Sequence, residues 1–232
     1  MKYVYVVYQY LVALPILVGF TLFTAILTII ALPWKNSRFI YSVQQIWARS
    51  FCRLMFIPVS VEGLENIDPK SSYVFVSNHQ SAFDIFVIYG WLPNIFKWLM
   101  KKEIGRIPFV GAACRAAGHI TIDRSSSVAA IESLRLMERE LTDGVSTVIF
   151  PEGTRTRDGE LGRFKRGAFQ VAFDLSLPVV PISLSGCYDV MPKGAKYVTR
   201  HPIKMTIGKP IALASFPQDD PQQAIAFVRN AV

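Results

Sequence analysis

The sequence predicts an α/β fold, a mixed and largely parallel sheet covered by helices, preceded by an N-terminal membrane-associated helical segment. Three observations carry that prediction. After Pro58, short apolar runs of strand length alternate with stretches of helical period, the order that gives a largely parallel sheet between helices. Residues 3–34 contain no Asp, Glu, Lys or Arg. The whole chain is 51% hydrophobic and 18% charged, with a mean hydropathy of +0.32, more apolar than a plain soluble domain. Its 232 residues accommodate one domain of ordinary size plus an appendage. The expected division is 1–57 as N-terminal membrane-anchoring helices and 58–232 as the α/β domain.

The elements follow in order. As a single helix, residues 3–34 would extend about 48 Å at ~1.5 Å per residue, longer than a ~30 Å hydrocarbon core, so the helix tilts or Pro15 breaks it. Tyr3, Tyr5, Tyr8 and Tyr10 at one end and Trp34 at the other suit interfacial belts. The single early Lys2, the long apolar core and the lack of an A-x-A site argue against a cleaved signal peptide. Residues 36–56 form a basic amphipathic helix. Phe39, Ile40, Val43, Ile46, Trp47, Phe51 and Leu54 share one face, and Arg38, Ser42, Gln45, Arg49 and Arg53 another. Such a helix either docks on the protein or lies in the headgroup layer, and the basic residues opposite Trp and Phe favour the headgroup layer. Lys35, Arg38, Arg49 and Arg53 outweigh Lys2, which places the C-terminal side in the cytoplasm.

Strands are expected at 59–62, 73–77, 96–100, 119–122, 147–150, 178–183 and 203–207. Helices are expected at 82–91, where Pro93 stops the run, and at 110–117, 128–141, 167–175 and 222–232. There is no internal repeat, and no G-x-G-x-x-G, Walker-A or G-x-S-x-G string. Cys52, Cys114 and Cys187 are widely spaced without a C-x-x-C pair, which reads as buried thiols and not as a disulfide framework or zinc site. The net charge of +8 suits an anionic lipid surface or a phosphorylated substrate; nucleic acid is disfavoured, because none of its binding signatures is present.

Chemistry concentrates at Asn78 to Asp84, NHQSAFD, where a strand hands over to a helix. His79 is the natural base, because an imidazole can take and return a proton near neutral pH. Asp84 has two readings. It could orient His79 and fix its tautomer, or, with Ser81, complete an S-x-x-D capping box. Further on, Phe150-Pro151-Glu152-Gly153-Thr154-Arg155 leaves a strand abruptly. Glycine there lets the backbone approach a ligand, and Arg155 offers a planar fork that suits phosphate. The same string also reads as a tight turn with an exposed arginine. KKEIGRIPFVG at 101–111 is a basic loop.

Together and in this order the strings resemble the glycerolipid acyltransferase family, whose blocks are N-H-x4-D, K-x-x-L-x3-P-x2-G, F-P-E-G-T-R and a later V-P-[VI]. Here they are Asn78, His79 and Asp84; Lys101, Pro108 and Gly111, with Ile104 where the family has Leu; Phe150 to Arg155; and Val180-Pro181-Ile182. The resemblance spans roughly 59–208. It implies acyl transfer from a thioester, acyl-CoA or acyl-carrier protein, to the sn-2 hydroxyl of lysophosphatidic acid, giving phosphatidic acid with no covalent acyl-enzyme. By the same resemblance, His79 and Asp84 are catalytic, Lys101 and Arg155 clamp the phosphate, and Glu152, Gly153 and Thr154 shape the acceptor site. It implies no cofactor and no metal. His119 and His201 have no metal spacing and read as structural. Glycerol-3-phosphate or a lyso-aminolipid as acceptor, a thioesterase, and a non-enzymatic binder of anionic lipid remain open on these residues.

Overall fold

The computed structural model describes residues 2–34, 36–101, 103–122, 136, 139, 141, 144–216 and 221–232, with the backbone alone described at 101, 122, 168 and 171. The helix expected over 128–141 and the side chains of Lys35 and Lys101 lie outside the described residues.

The apolar N-terminal run does not break at Pro15. Helices α1 (Lys2–Tyr8) and α2 (Leu14–Ile30) are joined through a π-helical turn, Gln9–Ala13, into one 29-residue helix long and apolar enough to cross a membrane. In that turn the Leu14 N–H bonds the Gln9 carbonyl, five residues back. The wider turn accommodates the missing N–H and the bulky ring of Pro15 within a continuous helix. Gln9, buried in this apolar stretch, donates from Nε2 to the Val198 carbonyl and accepts from the Val198 N–H, both at 2.8 Å. One amide thus bolts the helix to a distant loop.

Helix α3 (Arg38–Leu54) is docked on the protein by one face. Its small and mid-sized residues Tyr41, Gln44, Ala48 and Cys52 recur every three or four positions and are buried, and the face meets α4 (Phe83–Trp91). Gly90 allows the close approach, since a Cβ there would lie 3.0 Å from Arg49 Cγ. The arginines are drawn in with the helix. Arg49 donates to the Gly90 carbonyl at 2.6 Å, and Arg38 to the Pro69 and Pro93 carbonyls at 2.6 and 3.3 Å. Phe39 and Ile46 stay exposed on the outer side.

Seven strands, β1 (Val59–Glu62), β2 (Val74–Ser77), β3 (Phe96–Lys101), β4 (Ile120–Ile122), β5 (Ser146–Ile149), β6 (Val179–Ser185) and β7 (Ile203–Ile207), form one sheet in the order β1-β7-β6-β2-β5-β3-β4. Neighbours are parallel except β6 and β7. Both faces are covered. Phe75, Val148 and Val180 enter the core on one side, with α3 and α4, while Val74, Val76 and Val179 enter the other, with Phe169 and the C-terminal helix Pro221–Ala231. Between β5 and β6 the expected helix at 167–175 is shorter, a 3-10 turn at Arg166–Ala168 followed by α-helix at Gln170–Asp174. A short helix at Cys187–Val190, opened by Gly186 at φ 84, was not anticipated.

The order positions a site. β2 leads through α4, on one face, to β3 beyond β5, whereas β5 leads by the opposite face to β6 beyond β2, so the two connections leave the carboxyl ends of these adjacent strands toward opposite faces of the sheet. The crevice beyond the carboxyl ends of strands at such a switch point is where open α/β sheets bind ligands.

Candidate active site

His79 stands in that crevice, two residues beyond β2, and is held on all sides. Its backbone N–H donates to Glu152 Oε1 at 2.7 Å, its carbonyl accepts from the Thr156 N–H at 2.9 Å, and its ring stacks on Phe150 with centroids 4.0 Å apart. Nδ1 lies 2.8 Å from Asp84 Oδ2, with the His79 side chain 16% exposed and that of Asp84 fully buried. Hydrogen-bonding Nδ1 to a carboxylate leaves Nε2 as the atom able to take a proton.

Asp84 makes the contacts that each of its two readings calls for. Oδ2 also accepts the N–H groups of Gln80 and Ser81 at 2.7 and 2.8 Å, and Ser81 Oγ accepts from the Phe83 N–H at 3.1 Å, so the helix start is capped by the same oxygen that meets the imidazole. Among the described residues Oδ1 has no nitrogen or oxygen partner, and the Cys187 thiol lies beside the carboxylate. Burial, and then the neighbouring Asp84 charge, pushes the Cys187 thiol up. Asn78 serves the scaffold. Its side chain exchanges two 2.8 Å bonds with the Leu184 backbone and extends the β2–β6 ladder past the last strand residue.

The loop after β5 supplies the other wall. Gly153 takes φ 77, a left-handed turn that a side chain would strain. Glu152 is turned inward, its second oxygen accepting from the Gly162 N–H at 2.9 Å, so it braces His79 through the backbone. Gly153, Thr154 and Arg155 line the same cavity as His79, and among the described residues Arg155 forms no hydrogen bond or ion pair. Lys101 ends β3, and only its backbone position is known. Gly111 permits the turn into helix α5 (Val110–Ala116), where a Cβ would sit 2.1 Å from the Gly105 carbonyl oxygen.

From His79 a cavity of about 620 Å³ runs inward between α2, α3, α4 and α5. Its wall is mostly apolar, with Ile85, Phe86, Val110 and Phe150 among the lining residues. Thr21, Thr24 and Thr28 also line it, but their hydroxyls donate back to the carbonyls of Leu17, Phe20 and Thr24. Helical spacing of threonines in an otherwise apolar run was the signal for this wall. The sequence reading gives these threonines no part in the site. It also missed Lys193, a second cation on the lining. Cys114 lines the cavity too, and burial pushes its thiol up to about 11, which leaves it a poor nucleophile. Burial, then Lys97, holds the His119 imidazole down at about 3. Among the described residues no group of three or more His, Cys, Asp or Glu could hold a metal ion.

Fold and site together define an α/β protein that carries an N-terminal helix long and apolar enough to cross a membrane and a carboxylate-held imidazole at the mouth of an apolar cavity. Residues 58–185 match the Acyltransferase family model, and the chain belongs to that family. It is 36% identical over 181 residues to the chloroplastic 1-acyl-sn-glycerol-3-phosphate acyltransferase LPAT1 of Arabidopsis thaliana, covering 77% of this chain and 50% of that one. It is 33% identical to the human 1-acyl-sn-glycerol-3-phosphate acyltransferase alpha, covering 76% of this chain and 62% of that one. The chain therefore spans about half to three-fifths of the length of these relatives. The crystal structure of the 1-acyl-sn-glycerophosphate acyltransferase PlsC from Thermotoga maritima superposes with a TM-score of 0.79 at 27% identity, covering 99% of this chain and 92% of that one.

Proposed function

We propose that this protein transfers a fatty acyl group from a thioester, acyl-CoA or acyl-carrier protein, to the sn-2 hydroxyl of 1-acylglycerol-3-phosphate, forming phosphatidic acid. The observation that carries this reading is the 2.8 Å His79–Asp84 contact at the mouth of the apolar cavity. The printed names of the relatives support the substrate. Residues 1–57 hold the chain on the membrane, with the catalytic domain, 58–232, on the cytoplasmic side. Helices α2 and α3 contribute to the cavity as well as to anchoring.

In this mechanism the cavity takes the acyl chain and leaves the thioester carbonyl near His79. Nε2 removes the proton of the acceptor hydroxyl as its oxygen attacks the carbonyl carbon. The C–S bond then breaks, and the proton carried by the imidazolium passes to the departing thiolate. Asp84 holds the tautomer and stabilises the charged ring. Arg155, which pairs with nothing among the described residues and sits on the same lining, meets the acceptor's phosphate together with Lys101, and Lys193 adds positive charge. The raised thiol of Cys114 favours direct transfer over an acyl-cysteine.

The test is acyl transfer from a labelled thioester to a panel of lysolipid acceptors, read alongside thermal unfolding. His79→Ala should lose at least about 10²-fold in kcat, the lower end for general-base catalysis. Asp84→Asn should stay folded and fall in kcat. Arg155→Ala should act mainly on lysophosphatidate use, by about 1.5–3 kcal/mol for a lost charge-assisted bond. An active His79→Ala protein would end the mechanism, and release of free fatty acid without acceptor would turn it into a thioesterase.

A further inference from the structure

At one depth the cavity wall is polar. Gln44 on α3, Tyr89 on α4 and His119 just before β4 all line it, and they are 8%, 4% and 9% exposed. Their hydrogens run in one direction. The Trp98 N–H points at His119 Nδ1 at 3.3 Å, so the ring proton sits on Nε2, which faces the Tyr89 hydroxyl at 3.5 Å. Tyr89 then donates to Gln44 Oε1 at 2.7 Å. The relay ends at Gln44 Nε2, whose two N–H donors have no acceptor among the described residues. The three wall threonines differ in kind, because each hydroxyl donates to a carbonyl of its own helix, and that of Thr21 also accepts from the Trp47 indole N–H. Because Gln44 lines the cavity, these donors are open to whatever occupies it.

We propose that Gln44, with its orientation fixed by Tyr89 and His119, recognises an oxygen carried by the acyl chain, so that the protein takes mid-chain hydroxy- or oxo-acyl groups as donors. The proposal rests on the reading that the cavity holds the acyl chain. Ala82 and Tyr89 line the cavity from the start and the far part of α4. Seven residues of helix at ~1.5 Å each span about 10 Å. An extended hydrocarbon built from ~1.5 Å C–C bonds advances about 1.3 Å per bond, which puts the recognised oxygen near the eighth carbon or so. Gln44 Nε2 donates to it, whether hydroxyl or carbonyl. A hydroxyl close to the thioester stops short of this depth.

The experiment uses the full chain and three acyl thioesters of one length: saturated, hydroxylated near the thioester, and hydroxylated mid-chain. The readout is kcat/KM for each hydroxylated chain relative to the saturated one. In the wild type the mid-chain hydroxyl is used well. In Gln44→Leu its ratio should fall about tenfold, the effect of one lost hydrogen bond, while the ratio for the hydroxyl near the thioester stays put. Tyr89→Phe, which releases the amide from its fixed orientation, should move the mid-chain ratio the same way. Where Gln44→Leu does not fold, Gln44→Met carries the same comparison. Normal transfer of the saturated chain with a mid-chain ratio unmoved by Gln44→Leu, or a wild type that refuses the mid-chain hydroxyl, overturns this inference and leaves the acyltransferase reading standing. Failure of the wild type to transfer even the saturated chain overturns both.

Discussion

His119 shows how one residue ties stability to pH. It is buried with Nδ1 accepting from the Trp98 backbone and its ring held neutral down to about 3, whereas an unfolded imidazole protonates near 6.5. Between those values the unfolded chain binds the extra proton. Stability from this group is therefore complete above about pH 6.5 and falls as the pH drops toward 3, by up to ~1.4 kcal/mol per pH unit. Urea unfolding of the wild type and His119→Gln across that range checks it, and the expected outcome is a shallower acid limb in the variant. Equal slopes would mean that His119 is protonated in the folded state. The sequence showed His119 only as a histidine with no metal spacing, because its surroundings, Lys97, Tyr89 and Trp98, come from other elements. His79 and Asp84 were legible for the opposite reason. They sit at one strand-to-helix junction, where five residues of local backbone suffice to bring their side chains together.

At the scale of elements, the cavity is a product of four helices, and its length is set by side chains that face one another across it. Ala113 on α5 is one of these. Ala113→Phe fills space opposite α2 and should shift the preference to shorter acyl chains, with at least about a tenfold loss in kcat/KM for the longest, because interiors do not absorb added volume freely. A thioester length series measures it. An unchanged length profile would show that the chain lies elsewhere. Helix α3 carries a related lesson about legibility. Its amphipathic pattern put Phe39 and Ile46 on the apolar face, yet both are exposed and the buried face is Tyr41, Gln44, Ala48 and Cys52, because a pattern does not state what packs against the helix. Lipid and α4 satisfy Tyr41, Ala48 and Cys52 equally well on paper, and only the close approach at Gly90 and the arginine bonds to α4 and loop carbonyls decide for protein.

For the whole molecule, the 29-residue apolar helix and the +8 charge are two attachment signals of different physical kind, and one buries hydrocarbon-like surface that salt does not screen. The protein should stay with membranes in high salt and leave only with detergent. Release by salt alone would make the attachment electrostatic. Removing residues 1–56 is a poor test of anchoring, because α2 and α3 also wall the cavity and the Gln9–Val198 bonds tie the helix to the domain.

By itself the sequence determined the alternation that makes an α/β sheet, the strands from β1 to β7 to within a few residues, the apolar helix, and the ordered strings that mark the family, because each of these is written in spacing along the chain. Tertiary structure decided the rest. It made β6 and β7 antiparallel, set Glu152 against the His79 backbone, and drew α3 onto α4. It also gathered Thr21, Gln44, Tyr89 and His119 around one cavity. Those facts depend on contacts between segments far apart in the chain, and side chains so brought together share no period that a sequence can display.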